Sequence, residues 1–242
     1  MALTAKPYLR SVHIDPRADI DYARYPFTIP AVRELGLLVP HPDVTFFVGE
    51  NGAGKSTVLE AIAVAFGLPA EGGSRNVHRA QQEVSPLHGV LRLAKGWKRP
   101  RHAYFLRAES LFDVFSYLDE LGPDPRGTPS LHLRSHGEAF MDVLQGFGGD
   151  GLYLLDEPEA ALSPNRQLAA LAVIDQLVKA GAQFIIATHS PILLAYPNAK
   201  ILGFDGSGIA EVAYEDTEHY AITRDFLNHY PRRLEQLLGD EE

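Results

Sequence analysis

Residues 49–56 read Gly-Glu-Asn-Gly-Ala-Gly-Lys-Ser and form a complete phosphate-binding loop of the pattern G-x-x-x-x-G-K-[ST]. Before the loop, Val44–Val48 is a β-branched and aromatic run that predicts a buried strand. After it, residues 57–66 are rich in Ala and Leu at helical spacing. Strand, loop and helix therefore follow one another in the order that a phosphate-binding loop requires.

The residue types of the loop indicate its chemistry. Glycines at 49, 52 and 54 let backbone N–H groups converge on phosphate oxygens at a helix N-terminus, where the helix dipole also favours negative charge. Lys55 can reach the β- and γ-phosphates, and the Ser56 hydroxyl can bind Mg²⁺. The alternative is a glycine-rich turn with a solvated lysine. We expect ATP and Mg²⁺ as ligands, and as nucleotide-binding residues Glu50, Asn51, Gly52, Ala53, Gly54, Lys55, Ser56 and Thr57.

Two adjacent acids follow an apolar run in the second half of the chain. Asp156 and Glu157 come directly after Leu152–Leu155. Ligands bind at the carboxyl ends of parallel strands, so Asp156 can hold Mg²⁺ through its water shell. Glu157 points the other way and can polarise the water that attacks the γ-phosphate. An ordinary acidic loop is the alternative interpretation.

The pattern of apolar runs predicts an α/β fold. Two apolar strands at 151–155 and 183–187 flank a helix at 164–180, which implies parallel pairing. We also expect strands at 8–14, 27–29, 103–106, 201–204 and 209–213, a short element at 33–39, and helices at 110–121 and 217–238. Residues 71–76 are expected to form an exposed loop and residues 122–129 a connector.

Composition limits the class of protein. The 242 residues are 45% hydrophobic, carry a formal net charge of −9 and include no cysteine, which excludes disulfides and thiolate metal sites. No run approaches the roughly 18 apolar residues that a membrane helix needs, and the N-terminus lacks a secretory pattern, so we expect a cytoplasmic protein without a transmembrane segment. The negative charge argues against general nucleic-acid binding. A basic segment, residues 92–102, is either a local nucleic-acid contact or a solvated loop.

Two segments carry a resemblance to a known family. Residues 156–164, Asp-Glu-Pro-Glu-Ala-Ala-Leu-Ser-Pro, resemble the Walker B and D-loop segment of ABC-type ATPases. Residues 185–191, Ile-Ile-Ala-Thr-His-Ser-Pro, resemble the switch-histidine strand of the same family. The resemblance implies that Glu157 and His189 are catalytic, with His189 contacting the γ-phosphate and the attacking water. It also implies that Ser56 and Asp156 hold the metal.

The signature motif departs from the family pattern. Where ABC-type ATPases carry Leu-Ser-Gly-Gly-Gln, the matching residues are Arg134-Ser135-His136-Gly137-Glu138. The resemblance implies that Ser135, His136, Gly137 and Glu138 act in trans, on the nucleotide bound by the opposite subunit. Ser135 and Glu138 also fit an S-x-x-E capping box that opens a helix at 139–146, and a capped helix N-terminus is itself an anion site.

Arg107 and Tyr25 occupy positions that have known roles in the family that the chain resembles. Arg107 stands where the family usually has a Mg²⁺-binding Gln, and an Arg has no lone pair to give a cation. It could pair with a phosphate oxygen or a nearby carboxylate instead. Tyr25 and Phe27 lie where the family often has an aromatic residue that stacks on adenine. Core packing is the expected fate of Phe27, which leaves Tyr25 as the candidate.

The family implies a P-loop NTPase core, a mixed sheet with parallel central strands and an antiparallel β edge, flanked by helices. We expect a single domain over 1–242, with a reduced helical insert at 66–130 and a C-terminal helix and acidic tail at 217–242. The sequence most resembles stand-alone bacterial AAA- or ABC-like ATPases allied to the recombination and chromosome-maintenance branch.

The leading hypothesis is an ATP hydrolase that forms an ATP-dependent homodimer and acts as a mechanical switch on an unidentified partner. The first alternative is a nucleic-acid-linked ATPase in DNA repair or phage defence. The second is the ATP-binding subunit of a membrane transporter. A metabolite kinase fits less well, because the chain has the paired acids and switch histidine of a hydrolase and no recognisable lid.

Overall fold

The computed structural model describes residues 6–74, 84–108 and 136–239, with the side chain of His136 left out. Its strands are β1 (Leu9–Ile14), β2 (Val44–Val48), β3 (Gly73–Ser74), β4 (Leu91–Lys95), β5 (His102–Arg107), β6 (Gly151–Asp156), β7 (Gln183–Ala187), β8 (Lys200–Asp205) and β9 (Gly208–Glu211). Its helices are α1 (Pro30–Arg33), α2 (Lys55–Phe66), α3 (Leu87–Val90), α4 (His136–Gln145), α5 (Pro164–Lys179), α6 (Pro191–Leu194) and α7 (Glu218–Leu238).

Seven of the described strands form one mixed sheet in the order β3-β5-β6-β7-β2-β8-β9. The five central strands pair in parallel, while β3 and β9 pair antiparallel at the two edges. A separate antiparallel pair joins β1 and β4. The α/β class and the mixed sheet predicted from the sequence are confirmed.

Alternate residues of the buried strands face opposite layers of helices, as the two-residue period of a strand requires. Along β6, Leu152 and Leu154 pack on the side of α2, whereas Tyr153 and Leu155 pack on the side of α4 and α5. Burial on both faces explains why β2, β6 and β7 read as continuous apolar runs.

The register brings three strand ends to one edge of the sheet. β2 and β7 are in parallel register at Phe47 and Ala187, and β6 and β7 at Asp156 and Ala187. The loops that follow β2, β6 and β7 therefore leave the sheet side by side. These loops hold the phosphate-binding loop, the paired acids and His189.

Several predicted elements are corrected. The strand expected at 27–29 is wrong, because these residues form turns that lead into α1, where Pro30 occupies the first helical turn that proline favours. Phe27 is buried in the core, as expected. The element expected at 33–39 reduces to the end of α1 and a single bridge between Leu38 and Val12.

The exposed loop expected at 71–76 is also wrong at residues 72–74. Gly72 and Gly73 are buried, and Gly73–Ser74 pairs with β5 as the edge strand β3. Glycines at positive φ let the chain turn back onto the sheet there. The strand expected at 8–14 exists but pairs with β4 outside the main sheet. The helix expected at 110–121 and the connector at 122–129 lie outside the described residues.

In the described ranges, we find no helix with the length and hydrophobicity needed to cross a membrane. The C-terminal helix α7 has no buried residue and exposes several large apolar side chains.

Candidate functional site

The phosphate-binding loop begins at Gly49, where the neighbouring strand β8 leaves no room for a side chain. Gly49 has φ 148°, and a Cβ there would lie 2.2 Å from the carbonyl oxygen of Phe204 in β8. Gly54 has φ 99° and is the residue before α2, which starts at Lys55. Close packing at Gly49 and the left-handed turn at Gly54 fix both ends of the loop, so that it opens directly onto the N-terminus of α2.

Lys55 is held inside the loop. Its side chain is 4% exposed, and Nζ donates to the carbonyl oxygens of Gly49 at 2.8 Å and Glu50 at 3.0 Å. Burial lowers the pKa of the Lys55 ammonium, while the carboxylates of Glu157 and Asp156 oppose that shift. The ammonium is therefore preorganised within the loop and bonded to oxygens that a phosphate could replace.

Ser56 and Asp156 bring the two halves of the site into contact. The Ser56 hydroxyl donates to Oδ1 of Asp156 at 2.8 Å, and Asp156 is buried at the end of β6. A hydroxyl and a carboxylate are oxygen donors of the kind that Mg²⁺ prefers. These two residues, predicted as metal ligands, thus fit a magnesium ion.

Glu157 has an unusual backbone conformation for a residue other than glycine. Its φ and ψ are 49° and 51°, in the left-handed region, and its N–H donates to the carbonyl oxygen of Ala187 at 2.9 Å. Such conformations are sparsely populated and are often found at functional sites. The side chain is 35% exposed, and Oε1 lies 3.5 Å from Nε2 of His189.

Glu159 fixes the segment that follows β7. Its Oε2 accepts a 2.7 Å hydrogen bond from the Thr188 hydroxyl, and its Oε1 accepts a 2.5 Å bond from the backbone N–H of His189. Burial raises the pKa of the Glu159 carboxyl, and the bonds from His189 and Thr188 oppose that shift. The predicted switch histidine is therefore held at its backbone by a residue that the sequence reasoning did not single out.

The ring of His189 contacts a second histidine. Nδ1 of His189 lies 2.7 Å from Nε2 of His219, which is in the first turn of α7. Nε2 of His189 is shielded from solvent and has no hydrogen-bond partner among the described residues. Burial lowers the pKa of the His189 imidazole, and Lys55 and His219 lower it further. Nothing in the sequence pattern pointed to His219.

Arg107 pairs with carboxylates. Nη1 lies 2.8 Å from Oε2 of Glu60 on α2, and Nε lies 3.5 Å from Oδ2 of Asp156. The sequence left a phosphate oxygen and a nearby carboxylate as possible partners of Arg107. The structure shows the guanidinium beside two carboxylates. The guanidinium thus places a positive charge beside the candidate metal ligand, at a position where the family usually carries a neutral amide.

Tyr25 lies beside the first turn of α2. Its side chain is 64% exposed, and its hydroxyl is 3.3 Å from Oγ1 of Thr57. An exposed ring at this place could face a base, but adenine stacking by Tyr25 stays a prediction.

The signature segment is described in part. Ser135 lies outside the described residues, and of His136 only the backbone is described. Helix α4 begins at His136, so the predicted start at Ala139 is wrong by three residues. A capping box has its Glu at the third helical residue, and Glu138 is the third residue of α4. Gly137 packs tightly, since a Cβ there would lie 2.8 Å from the carbonyl oxygen of Ala161.

The last residue of the segment, Glu138, pairs with Arg166 at 3.2 Å. Gly137 and Glu138 therefore both contact the elements that follow the paired acids, the turn at Pro158–Ala161 and helix α5. The role of this segment in trans stays a prediction.

Two family models match parts of the chain. An "AAA domain" model matches residues 33–90. A model described as "AAA domain, putative AbiEii toxin, Type IV TA system" matches residues 129–195. The first match includes the phosphate-binding loop. The second includes the paired acids and His189.

Curated relatives agree with these matches. The chain is 27% identical over 227 residues to the energy-coupling factor transporter ATP-binding protein EcfA2 of Methanospirillum hungatei, with 83% of this chain and 56% of that protein covered. It is 26% identical over 178 residues to the ATP-binding cassette sub-family A member 7 of Rattus norvegicus, with 66% of this chain and 8% of that protein covered. The chain thus spans about half or less of the length of these relatives.

Among solved structures, the SMC head domain from Thermotoga maritima is similar at 18% identity and a TM-score of 0.48, with 86% of this chain and all of that chain covered. Over its two loop motifs the chain is thus similar to AAA-domain family models and to ATP-binding proteins of the ABC kind.

Proposed function

We propose that this P-loop ABC-like ATPase domain hydrolyses Mg·ATP at the edge where β2, β6 and β7 end, and that ATP closes two copies into a dimer. Closure and reopening would act as a mechanical switch on a partner. The similarity to AAA-domain models and to ABC-kind ATP-binding proteins supports ATP binding and hydrolysis in general. The observation that carries the assignment to this edge is the 2.8 Å hydrogen bond between Ser56 and Asp156, because it joins the two motifs that must share one nucleotide.

The loop residues would bind the phosphates. Backbone N–H groups at the start of α2 face the place of the triphosphate, and the helix dipole favours negative charge there. Lys55 would exchange its bonds to the Gly49 and Glu50 carbonyls for bonds to phosphate oxygens.

Ser56 and Asp156 would hold Mg²⁺, Ser56 directly and Asp156 through the water shell of the ion. When bound, the ion neutralises part of the phosphate charge. Arg107, which already faces Asp156, would remain on the far carboxylate oxygen.

Glu157 and His189 would act on the reacting groups. Glu157 is partly exposed and able to polarise an attacking water. His189 has a buried Nε2 that bonds to none of the described residues, directed to the side of Glu157, and this atom would donate to the γ-phosphate.

In the proposed dimer, the signature segment would act on the nucleotide bound by the other copy. Ser135, His136, Gly137 and Glu138 would contact the nucleotide of the second copy. The γ-phosphate would then bind the closed dimer better than the open one, which a ligand-driven switch requires. We also propose that residues 1–242 form one domain, with 66–130 as a reduced insert and 217–242 as a C-terminal helix and tail.

The rate of ATP hydrolysis against protein concentration tests this proposal. A site completed by a second copy gives a specific rate that rises with concentration and levels off as the dimer forms. A monomer whose specific rate is independent of concentration would contradict the dimer. Adding DNA and RNA ends at low and high salt in the same assay tests a nucleic-acid partner.

The nucleic-acid and transporter hypotheses can each be tested. The nucleic-acid hypothesis is weakened by the ion pairs of the basic segment 92–102, since Arg92 pairs with Asp15, and Lys98 and Arg101 pair with Asp150. The transporter hypothesis is favoured by the names of the relatives, and a co-purifying polytopic membrane protein would support it. A cytoplasmic location and kinship with the recombination and chromosome-maintenance branch stay part of the proposal.

A further inference from the structure

His219 contacts the switch histidine from a separate element. It lies in the first turn of the C-terminal helix α7, and its Nε2 is 2.7 Å from Nδ1 of His189. The two ring centroids are 4.8 Å apart, with 57° between the ring planes. A nitrogen-to-nitrogen distance this short requires a proton on one of the two atoms and a lone pair on the other.

The surroundings of His189 decide which nitrogen carries the proton. Its other nitrogen, Nε2, lies 3.5 Å from the Glu157 carboxylate and, under the proposed function, faces the γ-phosphate. Both neighbours are anions, so they favour a proton on Nε2. A neutral imidazole with a proton on Nε2 has its lone pair on Nδ1, and His219 must then donate through its own Nε2–H.

Burial of the two rings favours neutral imidazoles. Burial lowers the pKa of His189 and of His219, and Lys55 lowers both further. Glu50 opposes the shift at both rings, and Glu157 opposes it at His189. For His219, Glu218 beside it on α7 opposes the shift as well.

We propose that His219 is a positioning residue for ATP hydrolysis: its Nε2–H holds Nδ1 of His189, and so orients the ring with its protonated Nε2 toward Glu157 and the γ-phosphate. The inference rests on the proposed function, because it uses the assignment of His189 to the γ-phosphate. If His219 positions His189 in this way, the first turn of α7 contributes to the site of ATP hydrolysis.

Helix α7 has other anchors at the same end, so a change at His219 can be tested in a folded protein. The ring of Tyr220 packs on Tyr214 at 4.5 Å, and the Tyr214 hydroxyl donates to the carbonyl oxygen of Pro191 at 2.9 Å. Thr217, directly before the helix, is buried and donates to the carbonyl oxygen of Tyr214 at 2.7 Å.

The kinetic test compares three variants with the unmodified chain. His219→Leu removes the donor, His219→Gln keeps an amide N–H that can reach Nδ1, and His229→Leu is the control. His229 is exposed further along α7 and contacts only Asp225 of the same helix among the described residues. We expect His219→Leu to lower kcat by about 10- to 100-fold, the range typical of a lost orienting partner, with KM for ATP nearly unchanged. His219→Gln should recover most of kcat, and His229→Leu should match the unmodified chain.

A spectroscopic test does not depend on turnover. In protein labelled with ¹⁵N-histidine, the imidazole nitrogens of His189, identified by their loss in His189→Asn, should report a proton on Nε2. In His219→Leu the same signals should shift toward a mixture of tautomers. Unchanged His189 signals, a normal kcat in His219→Leu, or a Gln variant no better than the Leu variant would each overturn the inference. Absence of hydrolysis by the unmodified chain would instead refute the proposed function, while the spectroscopic test of His219 would stand.

Discussion

The side chains of Ser56 and Asp156, 100 positions apart in the chain, meet in a hydrogen bond of 2.8 Å. Ser56 is the last residue of the phosphate-binding loop. Asp156 ends β6, which β7 separates from β2. Parallel pairing of β2, β7 and β6 brings the two residues to the same edge of the sheet. Their contact supports the proposal that both motifs serve one magnesium nucleotide.

Replacing Lys55 by Ala should abolish ATP binding. The ammonium is buried within the loop, where it donates to the carbonyl oxygens of Gly49 and Glu50. Loss of charge-assisted bonds to two phosphates predicts a rise in Kd of about 100-fold or more. Calorimetric titration with ATP measures this. Lys179→Ala, which removes an exposed lysine paired with Asp175, is the control and should bind normally; equal affinities for the two variants would refute the assignment of Lys55.

Replacing Gly49 by Ala should destabilise the chain. The new Cβ would lie 2.2 Å from the Phe204 carbonyl oxygen, and the backbone of Gly49 is at φ 148°. Backbone overlap and strain of this kind cost about 2–4 kcal/mol. Thermal unfolding measures the change. Gly36→Ala, at a glycine with nothing within 4 Å of the added atom, is the matched control. A Gly49→Ala protein as stable as the control would mean that the loop does not pack against β8 as described.

Replacing Arg107 by Gln should lower the Mg²⁺ concentration that ATP hydrolysis requires. The guanidinium lies 3.5 Å from Oδ2 of Asp156, so its removal leaves the surroundings of this proposed metal ligand more negative. We expect half-maximal ATPase activity at a Mg²⁺ concentration lower by about threefold, which corresponds to less than 1 kcal/mol. A magnesium titration at saturating ATP measures this. A higher KM for ATP with no change in the magnesium requirement would show instead that Arg107 contacts a phosphate.

The stability of the chain should fall as the pH drops below 6.5. In the folded state the pKa values of His189 and His219 lie below the ordinary value of 6.5, first because the rings are buried. The unfolded chain then binds more protons than the folded chain between the lowered values and 6.5. The contribution of the two rings to stability is therefore complete above pH 6.5 and is lost as the pH falls through that window. Urea unfolding across this range should show a weaker pH dependence for His219→Gln; an identical slope would contradict the lowered values.

The sequence predicted the parts of the molecule that depend on local pattern. Strands β2 and β7 were predicted with their observed bounds, because both are mostly apolar and buried along their whole length. The short strand β3 was missed because its glycine carries no strand propensity and only tertiary pairing with β5 makes it a strand. Glu159 and His219 were missed because their contacts with His189 span 30 positions each, and no spacing rule relates such residues.

The measurement that tests the central claim most directly is made on Glu157→Gln with ATP and Mg²⁺. The substitution removes the carboxylate that would polarise the attacking water and leaves Lys55, Ser56 and Asp156 in place. Binding of ATP, hydrolysis and the elution volume in size-exclusion chromatography are recorded for this variant and for Glu215→Gln, a control at an exposed acid in the turn before α7. Our account predicts that Glu157→Gln binds ATP normally, hydrolyses it at a small fraction of the control rate, and elutes as a dimer only with ATP. Hydrolysis by Glu157→Gln at the rate of the unmodified chain would contradict the account.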